Sequence, residues 1–457
     1  MSMLSRWFGD RAFIKHLNSI AIPVTLQSFM LAAVAAADSL MLGSLDASYM
    51  SAVSQATQIQ FIQNMLISSI VSGATILGAQ YWGKGAKQTV RDIFCMSLRL
   101  CSLISLAFFL CCELCPGALM RVFTNVPELK EIGIDYLRIA GWSYLITGIS
   151  QCYLGVMKIS EHADVSARIS ITAVVVNIVL NAFFIYGIAF FPRLNAKGAA
   201  LATVIARVIE LLLCFAYSFK KDYIRPSLKG LVRFYRYIIK DFAKCTLPVM
   251  SSYLLWGAGF TSYTAFMGHM GKDAAAANAI AAVVRDLVCC ACNGIASAAG
   301  IIVGNELGAG HIEKGKLYGD RITRLSFACG FASTLVMCAV TPPLLLFVRL
   351  DPEASRYLIQ MMLIMAFYMI GRCVNTIVIN GIFYCGGDSI FDMYSLIVCM
   401  WCVAVPLALI GTIHHWPVAV VYACTCVDEV GKIPWVMARY RKYKWAKDLT
   451  RSDVPVE

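Results

Sequence analysis

The sequence predicts an all-α, polytopic membrane protein: twelve transmembrane helices in two pseudo-symmetric six-helix lobes. Three observations predict it. First, 59% of the 457 residues are hydrophobic and only 14% are charged, and the mean hydropathy of +0.70 lies far outside the range of a soluble domain. Second, twelve stretches are apolar over the length of about 20 residues that a helix needs to cross a bilayer. Third, the chain repeats itself. Sliding its first half forward by 225 positions, from 23 to 248, lays Pro23 on Pro248, Gly43 on Gly268, Ala52 on Ala277, Ser72 on Ser297, Gly83 on Gly308 and Gly85 on Gly310 without a gap. An even number of helices separates equivalent positions, so both copies enter the membrane in the same orientation.

In chain order, the first stretch, 17–43, contains Pro23, which lacks a backbone donor and so permits a bend. The second, 52–80, runs into Gly83 and Gly85, a pattern that ends a helix in a tight turn. Stretches 93–115 and 132–157 follow, 166–191 carries Asn177 and Asn181, and 198–219 carries Thr203. The second copy supplies 245–270, 274–303, 325–347, 357–384, 393–413 and 416–438, with Gly308 and Gly310 repeating the turn after its second helix. Between the copies, 220–244 holds Lys220, Lys221, Arg225, Lys229, Arg233, Arg236, Lys240 and Lys244. It is expected to be a solvated basic linker joining an N-terminal lobe, 1–219, to a C-terminal lobe, 245–457, whose tail beyond Ala446 is expected to be disordered.

The formal net charge of +12 follows topology better than it follows a nucleic-acid partner, because the basic residues crowd alternate loops. That asymmetry places both termini in the cytoplasm and the chain, read as a monomer, in the cell (inner) membrane. No cleavable signal peptide is expected, since the first apolar stretch is too long. Most of the nineteen cysteines lie inside apolar helices and read as small hydrophobes, so neither a metal nor a cofactor is expected. The stretch GIIVGNELGAG lacks the GKS/T ending and the preceding strand of a phosphate loop, and nothing nominates a catalytic nucleophile; an enzyme is not expected.

Asp38, in AAADSLMLG of the first helix, is the residue most in need of a reason. Its copy at position 263 is a tyrosine. An ionised carboxylate in hydrocarbon costs at least a few kcal/mol without a partner. A carboxyl shut from water holds its proton and releases it when wetted, which is what a proton-coupled switch requires; the alternative is a buried hydrogen bond that fixes packing. Asn177 and Asn181, four apart, share one helix face. With Thr203 and Asp38 they would form an oxygen-rich cluster for a proton network or Na⁺, or else bond helices together.

The second lobe offers Arg285 with Asp286, and Asn375 with Arg372 and Asn380. Neighbours in a helix point about 100° apart, so Arg285 and Asp286 are expected to serve different partners. Asp428, Glu429 and Lys432 are expected near the cytoplasmic end of the last helix, pairing along it or snorkelling to water. Tyr253, Trp256 and Tyr263 would offer π-faces to a cationic ligand, or simply pack.

With these residues assembled, the chain resembles the multidrug and toxic compound extrusion (MATE) family along essentially its whole length. The matching pieces are IPVTLQSFMLAAVAAADSLMLGSLD, GAQYWGKG, NIVLNAFFIYG, KGAALATVIAR, and LPV with VGNELGAG. The resemblance implies an exporter that exchanges cytoplasmic organic, often cationic, compounds for H⁺ or Na⁺ by alternating access. It implies Asp38 as the cation-coupling group, Pro23 as the bend, and Asn177 and Thr203 as polar partners. The chain departs at Asn181, where the DinF-like branch carries a second Asp, and that departure favours H⁺ or a weakened Na⁺ site. The Arg285–Asp286 pair is similar to the DinF-like pattern, while the second-lobe acids of the NorM-like branch are missing from helices seven and ten. Two alternatives stand beside this reading: a flippase for lipid-linked precursors, and an uncoupled channel or structural membrane protein.

Overall fold

The computed structural model describes residues 10–43, 47–187, 192–220, 223–232, 236–348 and 350–452. Twelve long helices account for most of them: α1 Arg11–Gly43, α2 Ala47–Lys84, α3 Lys87–Leu114, α4 Pro127–Ile159, α5 Ala163–Tyr186, α6 Ala196–Ser218, α7 Arg236–His269, α8 Lys272–Gly308, α9 Ile312–Phe347, α10 beginning at Pro352–Asn375, α11 beginning at Ser389–Leu396, and α12 Val418–Tyr440. α10 continues through wider π-helical turns over Thr376–Phe383, and α11 through similar turns over Ile397–Ala404 before closing as Val405–Ile413. Short helices Pro116–Phe123 and Leu228–Val232 lie in connections.

Each predicted stretch falls on one helix. α5 ends earlier than expected, at Tyr186, because Gly187 turns left-handed at φ 69° and bonds back to Phe183 O; residues 188–191 lie outside the described set. Nine helices among the described residues are long and apolar enough to cross a membrane by length and composition alone, and α4, α7 and α12 are not among them. Gly, Ser and Tyr dilute α4 and α7, while Asp428, Glu429 and Lys432 interrupt α12. Hydroxyls that would be orphaned in hydrocarbon donate to the preceding turn, as from Thr147 to Ser143 O at 2.7 Å and Thr75 to Val71 O at 2.9 Å.

The repeat is visible at atomic level. α1 and α7 pass unbroken through Pro23 and Pro248. α2 and α8 end in the same turn: Gly85 (φ 86°) bonds to Trp82 O at 2.9 Å and Ala86 to Tyr81 O at 3.0 Å, while Gly310 (φ 81°) bonds to Leu307 O at 3.1 Å and His311 to Glu306 O at 2.9 Å. This is a Schellman cap in both copies, and only glycine adopts its left-handed residue without strain.

The chain forms two compact units. The first comprises Phe29–Gly78 and Lys87–Thr246. In it α4 packs on α3 and α6, α5 packs on α6, and Leu42, Ala56, Met120, Leu137, Tyr144 and Ile185 meet in the core. α4 approaches closely because Gly148 has no side chain: a methyl there would lie 2.2 Å from Ser105 Oγ. The second unit comprises Met1–Ser28, Ala79–Ala86 and Leu247–Val456, with α10 packed against α8, α9 and α12.

The tail beyond Ala446, expected to be disordered, is instead fastened to the second unit as far as Arg451. Gln80 Nε2 donates to Cys385 O at 2.6 Å and to Lys447 O at 3.0 Å, and its Oε1 accepts from Leu449 N at 2.6 Å. Lys84 Nζ donates to Arg451 O, and Arg451 N donates to the Tyr81 hydroxyl at 3.3 Å. Just upstream, Trp445 is fully buried, stacked on Tyr440 at 5.5 Å and lying over Gly319. Tyr440 donates to Asp320 at 2.7 Å, and Arg439 forks onto Asp388 at 2.8 and 2.9 Å. Buried aromatic area and charge-assisted bonds outweigh the solvation of a basic segment.

Candidate functional site

In the first unit, the part of α1 from Phe29 on, with α5 and α6, brings together four of the predicted residues. Asn181, fully buried, donates Nδ2 to Asp38 Oδ1 at 2.5 Å and to Asn177 Oδ1 at 3.3 Å. Asn177 in turn donates to Thr203 Oγ1 at 3.3 Å, and Thr203 donates to Ala199 O at 2.9 Å. The four-residue spacing on α5 is what lines the two amides into one row. Asp38, half-buried, thus ends a hydrogen-bonded chain that crosses three helices. Asn181 presents its NH₂ to the Asp38 carboxylate and to Asn177 Oδ1, while its own Oδ1 is buried without a protein partner among the described residues. Tyr136 of α4, buried, stands close enough to Asp38 for the two to interact electrostatically. Sequence reasoning missed it; one tyrosine in the apolar run of α4 carries little signal. Pro23 lies in the second unit, inside a continuous α1.

The second unit holds a separate buried polar cluster. Arg372 Nη1 donates to Glu429 Oε1 at 2.7 Å, and Asn375 Nδ2 donates to Glu429 Oε2 and to its carbonyl, each at 2.7 Å. Tyr263, the copy of Asp38, donates its hydroxyl to Asp428 Oδ2 at 3.3 Å. Asp428, Glu429 and Lys432 are 5%, 5% and 3% exposed. The expectation that these charges snorkel from a helix end is therefore corrected: they sit in mid-helix, and Asp428 and Glu429 are bonded to α7 and α10. Three charges in one apolar helix were the available signal.

Two further expectations are corrected. Arg285 and Asp286 do pair, with Nε and Nη2 of Arg285 at 3.0 and 2.8 Å from Asp286 Oδ1. The guanidinium is long enough to curl along α8 while stacking 4.2 Å above the Phe260 ring. Tyr263 offers no open face, being 9% exposed and packed among Leu396, Met400 and Ala404. Trp256 faces a cation of the protein itself, the Arg372 guanidinium at 5.4 Å, and Tyr253 is half-buried near Tyr384.

A profile of the MatE family matches the chain twice, at residues 23–183 and again at 248–410. The two matches begin at Pro23 and Pro248 and reproduce the internal repeat. The chain belongs to the MatE family. This MatE protein is 23% identical over 452 residues to the uncharacterized transporter YisQ of Bacillus subtilis (strain 168), covering 96% of each chain. It is 24% identical over 413 residues to the multidrug resistance protein MdtK of Pectobacterium atrosepticum, covering 86% of each. Its fold matches the outward-facing conformation of a multidrug resistance MATE family transporter of the MOP superfamily, with a TM-score of 0.85 at 18% identity over 97% of this chain and 99% of that one. MatE proteins are multi-pass membrane transporters and not enzymes; they are ion-coupled, handle small organic substrates and need no cofactor.

Proposed function

We propose that this MatE protein, as a monomer in the cell (inner) membrane with both termini cytoplasmic, exports small organic cations by alternating access in exchange for H⁺ at Asp38. The observation that carries this reading is the 2.5 Å bond from Asn181 to Asp38 at the end of the Asn177–Thr203 chain. When Asp38 is ionised, the Asn181 amide holds its charge. When the site dehydrates, protonation removes the cost of a buried anion, and the affected end of α1 and α5 can repack. An amide at position 181, where a second carboxylate would help hold Na⁺, supports H⁺ over Na⁺.

Asp286 supports the cationic substrate class. Its side chain is 61% exposed although it stands near the middle of the apolar run of α8. A carboxylate exposed at that depth faces water and not lipid. Both bonds from Arg285 go to Oδ1, so Oδ2 remains for an organic ammonium.

The test is efflux of a fluorescent organic cation from energised cells, wild type against Asp38→Asn at equal expression, with and without Na⁺. Loss of efflux in the variant, and no Na⁺ requirement in the wild type, is the expected outcome. Equal efflux from both proteins would remove Asp38 from the mechanism and leave an uncoupled pathway.

A further inference from the structure

The polar face of α6 continues past Thr203. Seven residues on, two turns and so on the same face, stands Glu210, 1% exposed within an apolar helix. Its Oε2 accepts from Arg207 Nη1 at 2.7 Å, while its Oε1 is buried without a protein partner among the described residues. Arg207 lies between Thr203 and Glu210 along the helix, its side chain 20% exposed. Among the described residues, other buried atoms of the same unit also lack protein partners: Asn181 Oδ1, Gln63 Oε1 and the Tyr144 hydroxyl. Orphan polar atoms of this kind are satisfied by internal water.

We propose that Glu210 is a second proton station of the first unit, receiving the proton that leaves Asp38 and passing it to the cytoplasm. The inference rests on the H⁺-exchange reading of Asp38 above. α6 runs from Ala196 to Ser218 and then into the basic linker, so under that orientation Glu210 lies nearer the cytoplasm than Thr203 does. A rise of about 1.5 Å per residue puts the two about 10 Å apart, a gap that a few hydrogen-bonded waters span. In the transfer, the O–H bond of protonated Asp38 breaks and its proton enters the water chain. The far end of that chain delivers a proton to Oε1 of Glu210, leaving Asp38 a carboxylate and Glu210 a neutral acid. The bond from Arg207 then meets an uncharged partner and weakens. Loss of the proton to cytoplasmic water restores the ion pair.

The groups around Glu210 fit this role. On α6 they are Arg207 and Cys214. α4 brings Tyr153 beside Cys214, with Lys158 in its last turn, and α3 brings Cys95 beside Tyr153. The charged pair of α5, Asp164 and Arg168, is bonded within itself at 2.5 Å and is 55% and 64% exposed.

The experiment reconstitutes the full chain in liposomes holding a pH-sensitive dye, adds ethidium, and compares wild type, Asp38→Asn, Glu210→Gln, Glu210→Asp and the double variant Arg207→Met/Glu210→Met. Glu210→Gln is expected to bind ethidium as the wild type does while ethidium-driven proton flux falls by about 100-fold, with its pH profile flattened and partial rescue by Glu210→Asp. The double variant, whose fold is checked by thermal melting, is expected to stay equally slow. Wild-type flux and pH profile in Glu210→Gln, or in the folded double variant, beside an inert Asp38→Asn, would overturn the role of Glu210 alone. A wild type that moves ethidium without moving protons would remove the Asp38 reading and this one with it.

Discussion

Gly83 of α2 and Gly308 of α8 seat one helix crossing from opposite sides. A methyl on Gly83 would lie 1.9 Å from the carbonyl oxygen of Asn305, and a methyl on Gly308 would lie 1.9 Å from that of Gln80. The repeat that carries 83 onto 308 also carries 80 onto 305. Each glycine therefore rests on the copy of the residue that seats the other, and the second unit contains a local two-fold contact.

Because the obstructing atoms are backbone, neither side can yield by changing a rotamer. Gly83→Ala or Gly308→Ala should lower stability by about 2 kcal/mol or more, read as a fall in melting temperature of the purified protein. The double variant should cost less than the sum, since one substitution already opens the crossing. Gly268→Ala, with nothing within 4 Å of the added methyl, should be neutral or slightly stabilising.

Asn181→Asp would place a second carboxylate at the 2.5 Å contact with Asp38. Two carboxylates so close cannot both remain ionised without a shared cation. Efflux by this variant should become stimulated by Na⁺, measured by titrating NaCl against choline chloride. A response identical to that of the wild type would count against a cation site at Asp38.

Removing one partner of the Arg372–Glu429 pair leaves the other buried charge without its direct hydrogen-bonded counter-ion, with only Lys432 or Asp428 nearby. Glu429→Gln and Arg372→Met should each cost about 3–5 kcal/mol, whereas Arg372→Met with Glu429→Met should recover much of the loss. Thermal melts of the three variants decide between a pair held for stability and one that stability does not need.

Gln80→Leu removes two bonds to the tail and one to Cys385 O without emptying the core. Cleavage by trypsin at Lys447 and Arg451 should become faster, while the melting temperature changes little. Trp445→Ala should do both, since a fully buried indole is lost, at about 3–5 kcal/mol.

The linear pattern carried the repeat down to single residues: Gly85 and Gly310 take nearly the same left-handed φ because the same turn is written twice. It also carried the Asp38 cluster, because i,i+4 spacing fixes which amides share a face. It failed where a side chain had to choose a partner from another helix. Asp428 and Glu429 could pair along α12 or across to α7 and α10, and spacing alone favours the first. Arg285 pairs with its neighbour because the direction in which Cβ leaves the helix does not limit where a long, flexible guanidinium side chain can reach. The tail is expected to be disordered as a short chain end, although Tyr440, Tyr443 and Trp445 just before it pack together and anchor it.

The fastening of the tail sets an order on biogenesis. Gln80 and Tyr81 leave the ribosome well over three hundred residues before Lys447, Leu449 and Arg451, whose backbone groups they bind. Until those residues are made, the end of α2 must wait in the membrane with these partners missing. A ribosome that stops between Tyr440 and Lys447 would release a chain with all twelve helices inserted and this closure missing, a lesion that a membrane protease could read as an unfinished protein.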